Sequence, residues 1–181
     1  CPPDCLPIVL QASRAFGTGD HPTTAGCLEA MEELSAFNFK EIYDIGTGSG
    51  ILSFAAEKIW PRANVLACDI EEIAIEVAEI NKQFNNSKVF FYRNSAKDLL
   101  IPSIKNKQFD LIISNILAVP LIDLAPLICS LLSKTGRLII SGFLDYQTDE
   151  VIDSYVRNRI EVQKIFDKKG WVTILAKVKN D

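Results

Sequence analysis

Short apolar runs alternate with helical patterns along most of this chain, and that alternation restricts the possible folds more than any other feature. Five runs rich in Ile, Val and Leu are predicted strands: Glu41–Ile45, Val65–Asp69, Val89–Tyr92, Leu111–Ser114 and Arg137–Ser141. The predicted helices between or after them are Gly50–Ile59, Ile70–Phe84, Leu121–Leu132 and Tyr146–Tyr155. This order predicts right-handed βαβ units, so we expect an α/β fold with a parallel sheet.

The C-terminal part of the chain departs from the alternation. Two β-like runs, Ile160–Phe166 and Trp171–Val178, are joined by Asp167-Lys168-Lys169-Gly170. A short link that ends in Gly favours an antiparallel hairpin. We therefore expect a mostly parallel sheet that finishes in antiparallel strands.

Length and composition indicate an ordinary globular domain. The 181 residues are 48% hydrophobic and 23% charged, with no composition shift that marks a linker, so we expect one domain over residues 1–181. The net charge of −4 argues against a general nucleic-acid binder. Five irregularly spaced cysteines favour a reduced, cytoplasmic compartment over a disulfide framework.

Two features suggest other classes of protein and are set aside. Cys1 and Cys5 lack the further ligands of a zinc site, so no metal is expected. The apolar stretch 111–132 has the length of a membrane span, but Asn115, Pro120 and Pro126 interrupt it. A buried strand, a functional turn and a helix explain that stretch better, and no membrane contact is expected.

A glycine-rich turn, Asp44-Ile45-Gly46-Thr47-Gly48-Ser49-Gly50, follows the first predicted strand and precedes a helix. Alternate glycines let the backbone turn sharply beside a ligand, and the helix start offers N–H groups to it. A dinucleotide fingerprint needs its third glycine at position 51, where this chain has Ile51. Asp44 would repel a pyrophosphate and would suit a cationic ligand such as an ammonium or a sulfonium.

Two further polar residues end predicted strands. Asp69 follows the second strand, where a carboxylate can accept hydrogen bonds from both hydroxyls of a ribose, although it could instead cap the next helix. Asn115 follows the fourth strand, where its amide can face a ligand or can satisfy the backbone of its own turn. Because the ends of parallel strands border one crevice, both residues are candidates for a cofactor site.

Four segments together resemble a known family. They are Phe16-Gly17-Thr18-Gly19-Asp20-His21-Pro22-Thr23-Thr24, the turn with its continuation to Leu52, Asn115-Ile116-Leu117-Ala118, and Ser141-Gly142-Phe143-Leu144. The Asp-x-Gly-x-Gly-x-Gly turn resembles class I S-adenosylmethionine-dependent methyltransferases. From about Ala15 onward the chain resembles the ribosomal protein L11 methyltransferases, the PrmA family.

This resemblance implies a Rossmann-like three-layer sandwich around a seven-stranded sheet. It implies S-adenosyl-L-methionine as cofactor, with contacts at Thr24, Gly46, Asp69 and Asn115, while Gly48 and Gly50 shape the turn. It also implies N-methylation of ribosomal protein L11 at lysine side chains and at an N-terminal amine. Nothing in these 181 residues corresponds to the family's N-terminal substrate-recognition domain, so we expect the catalytic domain alone.

In the expected mechanism, Asn115 is the catalytic residue, and with the carbonyl of Ile116 or Leu117 it positions the amine or the methionine end of the cofactor. Thr24 and the glycine loop before it would cover the methionine end of the cofactor. His21, the only histidine, could accept a proton, but a role in holding that loop is favoured. The helix predicted over Thr23–Leu34 is expected to begin with Thr23 or Thr24 as its N-cap.

Three other functions stay open from the residues. The chain could methylate another protein or a small amine, it could be a nucleotide-binding oxidoreductase, or it could bind the cofactor without catalysis. The glycine spacing disfavours the oxidoreductase. The Asn115 turn and the glycine loop disfavour a pure binding module.

Overall fold

The computed structural model describes residues 5–11, 21–94, 104 and 107–179. Within them the chain forms one sheet in the order β3-β2-β1-β4-β5-β7-β6. The strands are β1 (Glu41–Ile45), β2 (Asn64–Asp69), β3 (Phe90–Arg93), β4 (Phe109–Asn115), β5 (Leu132–Leu144), β6 (Ile160–Lys168) and β7 (Trp171–Val178). Strands β1 to β5 pair in parallel, and β7 runs antiparallel to both β5 and β6. The expected mixed seven-stranded sheet is confirmed.

Helices cover both faces of the sheet and give three layers. They are α1 (Pro22–Glu33), α2 (Ile51–Ile59), α3 (Glu72–Asn85), α4 (Ala118–Leu131) and α5 (Thr148–Val156), with a 3₁₀ turn at Asp145–Gln147. One buried apolar cluster joins α4 and α5 to the sheet, and another joins α1, α2 and α3 to its opposite face. Side chains alternate along β1 accordingly, with Ile42 in one cluster and Tyr43 in the other.

The C-terminal hairpin has a shorter turn than the sequence suggested. β6 continues to Lys168, so only Lys169 and Gly170 connect the strands, where a four-residue link was expected. Both connecting residues have positive φ angles, 58° and 79°. Two such residues form the tight turn whose twist matches that of the paired strands.

The start of α1 also differs from the prediction. His21, and neither Thr23 nor Thr24, is its N-cap, and the His21 ring accepts a hydrogen bond from the Thr23 backbone N–H. Pro22 takes the first helical position, where the missing N–H of proline costs nothing. The His21 ring also packs edge-on against Trp171, with 4.8 Å between ring centroids. His21 thus holds the helix start against the hairpin, which supports its structural role.

The apolar stretch after residue 110 folds as β4, a turn and α4, as predicted, although α4 begins three residues earlier than expected. Leu117 caps it and Pro120 lies within its first turn, where proline is tolerated. No helix in the described part of the chain is long and apolar enough to cross a membrane.

Candidate active site

The glycine turn connects β1 to α2 and adopts backbone angles that favour glycine. Gly46, Gly48 and Gly50 have φ angles of 78°, 55° and 86°. A Cβ atom at Gly46 would overlap the side chain of Ile116, which follows β4. A Cβ atom at Gly50 would lie 2.8 Å from the ring of Phe54. The turn therefore needs glycine both for its angles and for its close packing.

The turn is fastened to the end of the neighbouring strand β2. The backbone N–H groups of Gly46 and Thr47 both donate to the carbonyl of Cys68, over 2.9 and 3.0 Å. The N–H of Gly48 donates to Asp69 Oδ2 over 2.8 Å. Because these three donors are already bonded within the protein, the turn is poorly suited to cradle a phosphate.

Asp44 is almost fully buried beneath the turn, with 1% of its surface exposed. Its Oδ2 atom accepts hydrogen bonds from the hydroxyls of Thr47 at 2.7 Å and Ser53 at 2.5 Å. Ser53 lies in the first turn of α2, so the Asp44 carboxylate lies beneath the start of that helix.

Burial raises the pKa of the Asp44 carboxyl to about 6, and the nearby charge of Asp69 adds to this, while the hydrogen bonds from Ser53 and Thr47 oppose it. Among the described residues, none donates to Asp44 Oδ1 although that atom is buried. A buried carboxylate with an unpaired oxygen favours a positive group nearby and disfavours a pyrophosphate. The Asp44 carboxylate thus suits a nucleoside cofactor that carries a cationic group.

Asp69 lies at the end of β2, and each of its two carboxylate oxygens accepts a hydrogen bond from a backbone N–H. Oδ2 accepts from Gly48 in the turn, and Oδ1 accepts from the backbone N–H of Glu71 at 3.0 Å. Glu71, and not Asp69, is the N-cap of α3, so the alternative role as a helix cap is wrong. An ionised carboxylate accepts about four hydrogen bonds, which leaves lone pairs of Asp69 for a ligand.

Asn115 ends β4, beside β1 and across the sheet edge from the glycine turn. It is half-buried, and within the described segments no residue bonds to its side-chain amide. The Leu117 carbonyl accepts from the Leu121 N–H in α4, which leaves the Ile116 carbonyl as the better partner for an amine. A Cβ atom at Gly142 would overlap the Ile116 backbone. Ile116 therefore packs between Gly46 and Gly142. This contact brings together the glycine turn, the segment that begins at Asn115 and the segment that begins at Ser141, which are three of the four segments that carry the family resemblance.

Thr24 is 1% exposed and lies on α1, one turn before Cys27. Burial raises the pKa of the Cys27 thiol, and the charge of Asp44 raises it further. Residues three apart on a helix share a face, so Thr24 lies on the same side of α1 as Cys27. The glycine loop before it, Phe16–Asp20, lies outside the described residues.

Some polar groups at the site were not anticipated. Thr47 and Ser53 hold Asp44, and their hydroxyls also contact each other at 2.9 Å. Asn81, which is fully buried in α3, donates to the carbonyl of Ser49 in the turn. A polar residue at a buried helix position is a detectable signal, but its partner depends on how α3 packs.

The sequence matches the family model described as ribosomal protein L11 methyltransferase (PrmA) over residues 2–179. A curated ribosomal protein L11 methyltransferase from Brucella suis is 40% identical over 177 residues, 97% of this chain and 62% of the relative. One from Mesorhizobium japonicum is 38% identical over 95% of this chain and 60% of the relative. This chain thus spans about three fifths of the length of these relatives. The resemblance found in the motifs is confirmed.

Solved structures with the same fold include methyltransferases. The ribosomal protein L11 methylase from Lactobacillus delbrueckii subsp. bulgaricus superposes with a TM-score of 0.84 at 29% identity, covering 98% of this chain and 91% of that one. An S-adenosylmethionine-dependent methyltransferase from Clostridium acetobutylicum superposes with a TM-score of 0.71 at 12% identity, over 90% and 94% of the two chains. At that identity the second likeness shows the fold alone, and both confirm the Rossmann-like methyltransferase architecture.

Proposed function

The chain belongs to the ribosomal protein L11 methyltransferase (PrmA) family, and we propose that it is the S-adenosylmethionine-binding catalytic domain of a protein N-methyltransferase. The acceptors in this proposal are lysine and N-terminal amines of ribosomal protein L11, a cytoplasmic substrate. One observation carries the cofactor class: the buried Asp44 carboxylate lies beneath the start of α2, where the Ser53 hydroxyl donates to it. This arrangement opposes a dinucleotide and suits a cationic nucleoside.

When bound, S-adenosylmethionine would supply a methyl group on a positively charged sulfur. Asp69 would hold the ribose hydroxyls with its remaining lone pairs, while the Gly48 N–H fixes the orientation of the carboxylate. Gly46, Gly48 and Gly50 would keep the backbone close to the ligand. Thr24 would border the methionine end from α1.

Asn115 would orient the acceptor. Its amide oxygen and the Ile116 carbonyl can accept N–H groups from an amine, which directs the nitrogen lone pair towards the cofactor crevice. Exposed apolar side chains follow Asn115 in the chain, with Leu117 69% and Val119 67% exposed. They offer contact area for an aliphatic side chain that carries the amine.

The amine must lose a proton before it reacts, because a lysine ammonium has a pKa near 10.4 and no lone pair while it is protonated. Transfer of that ammonium into an apolar pocket lowers its pKa, and the proton leaves to solvent. The protein's contribution is then to align the nitrogen and to exclude water, which accounts for much of the barrier reduction in such transfers. This scheme assigns no general base to His21, which caps α1.

Calorimetry tests the cofactor class. We expect S-adenosylhomocysteine, which lacks the transferable methyl group and the positive charge on sulfur, to bind, and NAD to give no heat. Asp69→Ala should weaken the binding, while Glu72→Ala, which removes an exposed carboxylate nearby, is the matched control. Binding of NAD without S-adenosylhomocysteine would refute the proposal in favour of an oxidoreductase.

Methyl transfer tests the acceptor. Purified ribosomal protein L11 is incubated with labelled cofactor and this chain, and the modified residues are identified by mass spectrometry. A full-length relative under the same conditions controls for recognition contributed by the rest of the protein. Labelling of another amine substrate, with none on L11 by either protein, would overturn the substrate assignment.

A further inference from the structure

The side chain of Asn81 joins two segments that are distant in sequence. Its Nδ2 atom donates to the Ser49 carbonyl in the glycine turn over 2.9 Å. Its Oδ1 atom accepts from the backbone N–H of Gln11 over 2.8 Å. Asn81 has no exposed surface, so both ends of its amide depend on these protein partners.

The chemistry of the partners fixes the orientation of this amide. A backbone N–H can only donate and a carbonyl can only accept, so Oδ1 must face Gln11 and Nδ2 must face Ser49. Rotation of the amide by 180° would place the Asn81 NH₂ group against the Gln11 N–H and the Asn81 oxygen against the Ser49 carbonyl. Asn81 therefore has one orientation that satisfies both segments at the same time.

Residues 5–11 are here called the strap, and Val9 and Gln11 within it bond to side chains of α3. Ile8 and Leu10 pack against the apolar cluster on that face of the sheet. Val9 is held by Asn85, which accepts from its N–H at 3.0 Å and donates to its carbonyl at 2.7 Å. Asn85 and Asn81 lie four residues apart on α3, and Asn85 also donates to the Asn81 carbonyl over 2.8 Å.

Asn81 and Asn85 thus both hydrogen-bond to the backbone of the strap. Of the two, Asn81 also donates to the glycine turn. If the strap moved away, Asn81 Oδ1 would lose its partner in a buried position. Rotation of the Asn81 side chain towards another donor would then also release the Ser49 carbonyl. Loss of the strap would then loosen the turn whose Gly48 N–H donates to Asp69.

We propose that Asn81 is a positioning residue that couples docking of the strap to the conformation of the glycine turn. The consequence for ligand binding rests on the proposed function, because it takes the turn as the site of the cofactor nucleoside. Coupling between two sites is reciprocal, so a ligand in the turn would also hold the strap more firmly.

Two proline variants separate this coupling from general effects on the strap. Gln11→Pro removes the N–H that Asn81 accepts, and Val9→Pro removes the N–H that Asn85 accepts. In the ligand-free chain, hydrogen exchange at the amides of Gly48 and Gly50 reports on the turn. We expect Gln11→Pro to speed that exchange about fivefold or more, the effect of one lost hydrogen bond, and Val9→Pro to change it less than about twofold.

The same exchange is measured in an Asn81→Leu background, where the connection is absent. There, Gln11→Pro should have no further effect on Gly48 and Gly50. Equal effects of the two prolines on the turn, or a full Gln11→Pro effect in the Asn81→Leu background, would overturn the coupling. The comparison of the two prolines alone decides the matter if Asn81→Leu fails to fold.

Ligand binding gives the second measurement. S-adenosylhomocysteine should bind Gln11→Pro about fivefold more weakly than the unmodified chain and Val9→Pro about equally. Saturation with S-adenosylhomocysteine should slow exchange of the Gln11 amide in the unmodified chain and leave it unchanged in Asn81→Leu. If the ligand binds but the two prolines weaken it equally, the coupling is refuted. If no ligand binds while the turn still responds to Gln11→Pro, the proposed function fails and the coupling stands.

Discussion

In the glycine turn, buried polar groups bond to one another, whereas the segment after β4 presents large apolar side chains to solvent. Thr47, Ser49 and Ser53 are each less than 10% exposed, and Asp44 lies beneath them. On the other side of the candidate site, Leu117 and Val119 are about two-thirds exposed. The first region, the cofactor half, has its geometry fixed by interior hydrogen bonds, and the second, the acceptor half, keeps contact surface available.

This difference bears on what each half requires. Fixed donors and acceptors need no reorganisation when a ligand enters, which favours tight binding of one small molecule. An exposed apolar rim gains its burial only when a partner covers it. Changes in the cofactor half should therefore alter stability and cofactor affinity, while changes in the acceptor half should leave both nearly unchanged.

The largest expected effect is that of Gly46→Ala. A positive φ angle and overlap with Ile116 together should lower the free energy of unfolding by about 2–5 kcal/mol. Gly170→Ala is the matched control: its φ of 79° is nearly the same, but nothing lies within 4 Å of the new Cβ, so strain alone should cost about 1–2 kcal/mol. Urea unfolding measures both.

The Gly46 prediction can be contradicted directly. If both alanine variants lower the free energy of unfolding equally, the close packing of Gly46 against Ile116 contributes nothing to stability. Combining Gly46→Ala with Ile116→Ala should recover part of the loss, because the smaller side chain makes room for the new Cβ.

Asp44 gives the cofactor half a distinct pH dependence. With the pKa raised to about 6 in the folded chain, the unfolded chain loses this proton at lower pH. Below about pH 3 both states hold the proton, and between about pH 3 and 6 the folded state is progressively destabilised. Relative to Asp44→Asn, the native chain should lose about 3 kcal/mol of unfolding free energy from about pH 3 to pH 7, at about 1.36 kcal/mol per pKa unit.

The measurement is urea unfolding of both chains across that pH range. Asp123→Asn, at an exposed position of α4, controls for the removal of one charge. A constant difference between the native chain and Asp44→Asn at all pH values would show that Asp44 does not carry this dependence.

Asp69→Ala should weaken S-adenosylhomocysteine binding by about 1.5–3 kcal/mol, the range for hydrogen bonds to a charged group. The variant also frees the Gly48 N–H that the carboxylate holds. Titration calorimetry measures the affinity, with thermal unfolding as the check on folding. Unchanged affinity in a folded variant would remove Asp69 from the cofactor half.

The smallest expected effect belongs to the acceptor half. Leu117→Ala should change the free energy of unfolding by less than about 0.5 kcal/mol and should leave S-adenosylhomocysteine affinity unaltered. Leu121→Ala, at a fully buried position one turn into α4, should cost about 2–5 kcal/mol. A weaker affinity for S-adenosylhomocysteine in Leu117→Ala would mean that the two halves are not independent.

Much of the fold could be predicted because local pattern and tertiary structure agree. The extents of β1 and β7 match the prediction, since apolar runs with clear turn signals fix them. β5 is longer than Arg137–Ser141 at both ends, because Leu132 pairs with Phe109 of β4 and because pairing with β7 continues past an irregularity at Gly142 to Leu144. Such extension depends on the partner strand, which no local pattern reveals.

The candidate site was only partly predictable. The sequence positions of Asp69 and Asn115 placed them at strand ends, and both lie there. The bonds that hold Asp44 depend on how the turn folds back on α2, and the contact between Gln11 and Asn81 spans 70 residues. The N-cap of α1 was mispredicted although Pro22 marked the first helical position, because the threonines were also good capping residues.

The position of β7 has a consequence for synthesis on the ribosome. β7 lies between β5 and β6, and α1 packs on it from the other end of the chain. Until residues 171–178 have emerged, β6 has no neighbour in the sheet, and α1 lacks part of the surface it covers. α1, which ends at Glu33, therefore waits for β7 while more than a hundred residues are added, whereas β6 is followed almost at once by its partner. Packing of α1 on the completed sheet is a late, long-range step.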